Sequence, residues 1–173
     1  MADPAPGPAP PPPGFEAFLL RIGQLNYAWT NTESLLIHLI AGLARTDKDT
    51  AVILFLTLNT TRARLDLVER LAKRAPCPIP PAAQARILSV SARMKSLSAL
   101  RNRFNHCIYA FDAEGGPPRA ILMRIADRRE SIRMGAASTL DRATLAEIDA
   151  ALTELQQVNA EIWSIVGDYA FPF

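Results

Sequence analysis

From residue 15 onward, apolar side chains return every three or four positions, and that period commits most of the chain to helix. Phe15, Phe18, Ile22, Leu25, Trp29, Leu36, Leu39 and Leu43 fall on one face of a predicted helix over residues 15–45. Its length exceeds the average, so a kink is expected near Gly23 or Asn31. Glu33 falls inside the stripe, between Trp29 and Leu36. A carboxylate there needs a cationic or hydrogen-bonding partner, and a structural ion pair of Glu33 with Arg64 is expected.

Asp47 or Asp49 can cap a second helix over residues 50–58. A third follows in the basic segment 62–74, where Leu65, Val68 and Leu71 keep the helical spacing. Pro76, Pro78, Pro80 and Pro81 end it, since proline lacks the amide that a helix interior uses. Pro81 is tolerated in a first turn and opens the next helix, which runs to about Phe104. Residues 107–111, 119–125 and 131–134 then read as short strands, divided by the turn signal Glu114-Gly115-Gly116-Pro117. A last helix begins near Thr139 or Asp141 and reaches about Asp168. Leu145, Ile148, Leu152, Leu155, Ile162 and Val166 form its seam, and Asn159 is the polar break in it. The expected fold is mainly α: a four- or five-helix bundle, with a small β-hairpin appendage between the fourth helix and the last.

A chain of 173 residues suits one domain, with 49% hydrophobic and 21% charged residues in ordinary globular proportion. Residues 1–14 stand apart as a Pro-rich, disordered tail of polyproline character; residues 15–173 form the domain, with 107–137 as its β insertion. The tail has neither the basic start nor the apolar run of a signal peptide. No stretch approaches the ~20 apolar residues of a membrane helix. Cys77 and Cys107 make neither a disulfide framework nor a metal-ligand spacing. The expectation is a soluble, cytoplasmic protein with no metal site and no cofactor.

Charge is unevenly placed. Residues 60–106 carry ten Lys or Arg against Asp66 and Glu69, whereas residues 138–173 carry six acidic residues and only Arg142. Such asymmetry marks either a polyanion-binding face or two helices that attract each other inside the fold.

The helix from Pro81 builds its stripe from Ile87, Val90, Met94, Leu97, Leu100 and Phe104. At ~100° per residue, Arg101 projects close to the middle of that stripe. Either it pairs with a buried acid, for which Glu33 is the natural candidate, or the stripe opens there into a cleft. Asn102 and His106, four apart, share a helical face. Arg101 lies ~140° from His106 on an ideal helix, so its long side chain, a helix end or a second subunit must reunite them. The other histidine, His38, lies in an apolar run and reads as a packed or interfacial residue.

Arg101-Asn102-Arg103-Phe104-Asn105-His106 resembles the signature of the HEPN superfamily, an Arg followed after four to six residues by His, late in a basic amphipathic helix. The resemblance covers residues 15–109, with the final helix completing the bundle. It implies a bundle that dimerises, bringing two motif copies into one cleft. Many members are metal-independent endoribonucleases of toxin, antiphage or RNA-processing systems; others serve as non-catalytic dimerisation, partner-binding or nucleic-acid-binding modules. Carried across, Arg101 would hold the scissile phosphate, His106 would act as general base or acid, and Asn102 would orient substrate or imidazole. Lys95, Arg103 and Tyr109 are the substrate-binding candidates, although some toxin members place a tyrosine two residues after the histidine and Tyr109 comes three after. The implied partners are a second copy, RNA and, for a toxin, a protein antitoxin. There is no Gly-rich phosphate loop and no Gly-x-Ser-x-Gly elbow.

Overall fold

The structure is a computed structural model and describes residues 11–112, 116–123, 125–128 and 131–173. Six helices appear among them: α1 (Phe15–Ser34), α2 (Leu36–Ala44), α3 (Lys48–Thr57), α4 (Thr61–Lys73), α5 (Pro81–Asn105) and α6 (Arg142–Asp168). Five short strands lie between α5 and α6: β1 (Cys107–Ala110), β2 (Arg119–Leu122), β3 (Ile125–Arg128), β4 (Ser131–Met134) and β5 (Ala137–Thr139). The fold is therefore a mainly α bundle with a small β appendage.

The single long helix expected over residues 15–45 is two helices. The break falls at Leu35, not at Gly23 or Asn31. There the Leu35 amide donates to the Thr32 carbonyl at 3.2 Å, and the His38 amide donates to the Leu35 carbonyl at 3.1 Å. Beyond the break the sequence is apolar all round, and such a helix belongs in the interior. Leu36, Leu39, Ile40, Ala41 and Leu43 are accordingly inaccessible to solvent, and α2 packs against α3, α4 and α6. Gly42 is needed for this packing: a Cβ at that position would lie 2.2 Å from the ring of Phe171. His38 is buried, its Nδ1 2.8 Å from the Pro172 carbonyl and its ring 5.3 Å from that of Trp163. It is a packed residue that ties the chain's last residues to α2.

The helix starts follow local chemistry. Asp47 accepts from the Thr50 amide at 2.8 Å, Thr60 from the Ala63 amide at 3.1 Å and Asp141 from the Thr144 amide at 2.9 Å. Each satisfies an amide that the first turn leaves unpaired. Between α5 and α6 run the ion pairs of Arg86 with Glu161 and Asp168, of Arg93 with Glu154 and of Arg103 with Glu147. These pairs use four of the six acidic residues of the C-terminal segment but only three of the ten basic residues of 60–106, so attraction between the two helices accounts for part of the uneven charge.

The appendage is more than a hairpin. Strands β1, β2 and β5 form an antiparallel sheet in the order β1-β2-β5, with Tyr109 opposite Ala120 and Ala120 opposite Ser138; β3 and β4 pair separately. The strand expected over residues 119–125 splits into β2 and β3, and Met123 between them donates to the His106 carbonyl at 2.7 Å. Of the expected turn, Glu114 and Gly115 lie outside the described residues, as do residues 1–10 of the Pro-rich segment. The sheet docks on α1 through Tyr109, 5.2 Å from Phe15 and 6.2 Å from Phe18, and Phe18 in turn packs against Phe104 of α5 at 5.6 Å. No helix among the described residues is long and apolar enough to cross a membrane.

Candidate functional site

The last turn of α5 ends at His106, whose φ of −122° and ψ of 36° leave the helical region, while its amide still donates to the Asn102 carbonyl at 3.2 Å. At this end the helix borders a polar pocket of about 340 Å³. Ser98, Arg101, Asn102 and His106 of α5 form one wall, Asn59, Thr60 and Arg62 form the opposite rim, and Glu33, Thr61 and Arg64 lie beneath. The pocket thus brings together Arg101, Asn102 and His106. Arg101 and His106 both line this pocket although an ideal helix would set them ~140° apart.

Glu33 is not the partner of Arg101. Its carboxylate accepts from Trp29 Nε1 at 3.0 Å, from Thr61 Oγ1 at 2.7 Å and from Arg64 Nη1 at 3.1 Å. The Glu33 and Arg64 side chains are only 8% and 19% exposed, so this is a buried ion pair. Arg64 also donates from Nε to the carbonyls of Phe55 and Leu58 at 3.1 and 2.9 Å, with its guanidinium 4.0 Å over the Phe55 ring. One acid–base pair therefore binds the end of α1, the end of α3 and the start of α4, and it forms the floor of the pocket.

Arg101 makes no ion pair with a described residue. Its Nη1 donates to Asn102 Oδ1 at 2.7 Å, its guanidinium lies 5.3 Å over the Trp29 ring, and its buried Nε has no acceptor. The apolar stripe of α5 opens into a cleft at this residue. A guanidinium in that setting retains donors suited to an anion. Arg62 adds a second cation at the rim: its side chain is 89% exposed, with only a loose 3.9 Å contact to Asp66.

The other candidates lie elsewhere. Lys95 is held by Asp66 and Glu69, both at 2.8 Å, between α4 and α5. Those hydrogen bonds raise its pKa, and the same bonds to Lys95 are the largest cause lowering the pKa of Asp66 and of Glu69. Arg103 turns to Glu147 on α6 and stacks 4.6 Å over Phe104. Tyr109 is wedged between Phe15 and Phe18, where burial first, and then its hydrogen bond with Cys107, push its phenol well above the ordinary range. Asn59, Thr60, Thr61 and Arg62 are pocket residues that the motif does not reveal. Their only local signal is the threonine cap at the start of a basic helix. Among the described residues, no three His, Cys, Asp or Glu side chains are grouped to hold a metal ion. No family model, curated protein or solved structure matches the chain.

Proposed function

We propose that the chain is a HEPN-like, metal-independent endoribonuclease whose Arg101–Asn102–His106 pocket takes the scissile phosphodiester. One observation carries the reading: Arg101, a cation of the α5 stripe with no ion pair among the described residues, and His106, the histidine outside the core, line the same polar pocket. Imidazole exchanges protons near neutrality. In the proposed step a base removes the 2′-hydroxyl proton, O2′ attacks phosphorus, and the 5′-oxygen leaves with a proton from an acid. The products are a 2′,3′-cyclic phosphate and a 5′-hydroxyl. Arg101, aided by Arg62, neutralises charge growing on the phosphoryl oxygens, and Asn102 orients the guanidinium through its 2.7 Å bond.

The step needs both a base and an acid, and each copy supplies one imidazole. A homodimer would supply the second. Ile53 and Leu56 of α3, 66% and 63% exposed, suit such pairing, since α3 runs directly into Asn59 and Thr60 on the pocket rim. The same shortage of proton-transfer groups favours a second reading, in which the pocket binds RNA without cutting it and the chain is a dimerisation or partner-binding module. Either role belongs in the cytoplasm, and a toxin would have a protein antitoxin as its partner.

The test is cleavage of structured and single-stranded RNA in excess EDTA by the wild type and His106→Ala. The proposal expects cyclic-phosphate ends from the wild type and at least a hundredfold loss in the variant. Equal activity in both, or none in the wild type, contradicts it.

A further inference from the structure

A second concavity among the described residues has no part in the proposed reaction. It is a groove of about 640 Å³ between α1 and α6. Its walls offer carboxamides, Gln24 and Asn31 from α1 and Gln156 and Asn159 from α6; Ala28 and Ala160 leave it open. Tyr27 stands at its edge, 73% exposed. The side chains of Asn31 and Gln156 make no hydrogen bond to a described residue, and Asn159, the polar break of the α6 seam, spends one amide hydrogen on Thr32. The charged residues of the groove, Arg21 and Asp149, neutralise each other at 3.0 Å. The groove therefore suits an uncharged ligand that hydrogen-bonds to carboxamides, its carbonyls accepting from their NH2 groups.

The chain carries such a ligand. Residues 1–14 hold seven prolines and a single charged side chain, Asp3. A polyproline segment presents solvated carbonyls and few amides, so a complementary surface must supply donors and a flat ring. Grooves that recognise such segments do so with aromatic side chains.

The reach agrees. Phe15 donates from its amide to the Pro12 carbonyl at 3.2 Å, with Pro13 and Gly14 between them and Gly14 at φ 85°, ψ −9°. This is the proline-glycine pattern of a type II turn, which reverses the chain between Pro12 and Phe15. Along α1 the groove extends from ~9 Å to ~26 Å beyond Phe15 at 1.5 Å per residue. Ten residues of polyproline span ~31 Å, enough to cover that stretch.

We infer that the α1–α6 groove is the docking site of the chain's own Pro-rich N-terminal segment. Tethering makes its effective concentration millimolar, so it would hold the groove against a free peptide of the same sequence.

The test is titration of a synthetic peptide of residues 2–14 against two proteins, the full chain and a chain lacking residues 2–11. The shortened chain keeps every buried residue among those described, the first of which is Phe15. The inference expects saturable binding to the shortened chain and at least tenfold weaker binding to the full chain. In the shortened chain, Tyr27→Ala and Ala160→Trp, both at exposed positions, should each abolish binding with the thermal midpoint kept. Absence of binding to the shortened chain, equal binding to both proteins, or binding that survives both substitutions would overturn it.

Discussion

Arg64→Ala should cost about 3 kcal/mol of folding stability, because it leaves the buried Glu33 side chain without its cationic partner. The magnitude follows from burial. Exposed ion pairs contribute about 0–1 kcal/mol, whereas removing one partner of a buried pair costs about 3–5 kcal/mol. With side chains 8% and 19% exposed, Glu33 and Arg64 belong to the second class. Two facts place the cost at the lower end: Trp29 and Thr61 still donate to the carboxylate, and the adjoining pocket gives it a route to water. Against that, the carbonyls of Phe55 and Leu58 also lose a charged donor. At a urea slope of about 2 kcal/mol/M, the midpoint should fall by roughly 1.5 M. Urea unfolding followed by Trp fluorescence and by circular dichroism measures it, and coincidence of the two probes secures the two-state treatment. Removing both charges with Glu33→Leu and Arg64→Met should cost less than Arg64→Ala alone. A midpoint shift below about 0.5 M for Arg64→Ala would refute the assignment of this pair as the buried tie of α1, α3 and α4.

Arg101→Ala should cost only about 1–2 kcal/mol, for one hydrogen bond and one contact with Trp29; a loss above about 3 kcal/mol in the same urea assay would mean that Arg101 is a buried structural cation. The clamp of Lys95 on Asp66 and Glu69 has opposite signs at the two ends of the pH scale. The lowered carboxyl pKa values give stability that is lost as pH falls below about 4, and the raised amine gives stability that is lost as pH rises above about 10.4. The melting-temperature difference between wild type and Lys95→Gln should therefore be flat from about pH 5 to 10 and shrink outside that window; a difference independent of pH throughout would contradict the clamp. Light scattering at micromolar concentration should report a dimer, and Ile53→Asp with Leu56→Asp should yield monomers without RNA cleavage; a monomeric wild type that cleaves RNA would count against a shared site.

The helices were legible in the sequence because their apolar residues repeat with the helical period, and side-chain chemistry narrowed two of the caps to Asp47 or Asp49 and Thr139 or Asp141, of which the structure uses Asp47 and Asp141. The break at Leu35 was not legible: apolar residues continue across it, and the turn into the core depends on what surrounds α2. Strand β5 has only the three residues Ala137–Thr139, too few to carry a period. At the site, the sequence supplied Arg101, Asn102 and His106. It did not indicate that Lys95 and Arg103 are spent on acids of α4 and α6, because such pairing is decided by helix packing. Nor did it decide whether Glu33 belongs to Arg64 or Arg101. The pocket rim at Asn59, Thr60 and Arg62 comes from a loop and a helix start distant in sequence from the motif.

The central claim, that the Arg101–Asn102–His106 pocket receives a phosphodiester, is tested most directly by imidazole NMR. The chain has two histidines, and His38 is buried against Pro172, so it serves as the internal reference. Titration with a non-cleavable 2′-deoxy oligonucleotide should shift the His106 ring resonances saturably, leave His38 unmoved, and lose the response in Arg101→Ala. A silent His106, or a response unchanged in Arg101→Ala, would contradict the claim.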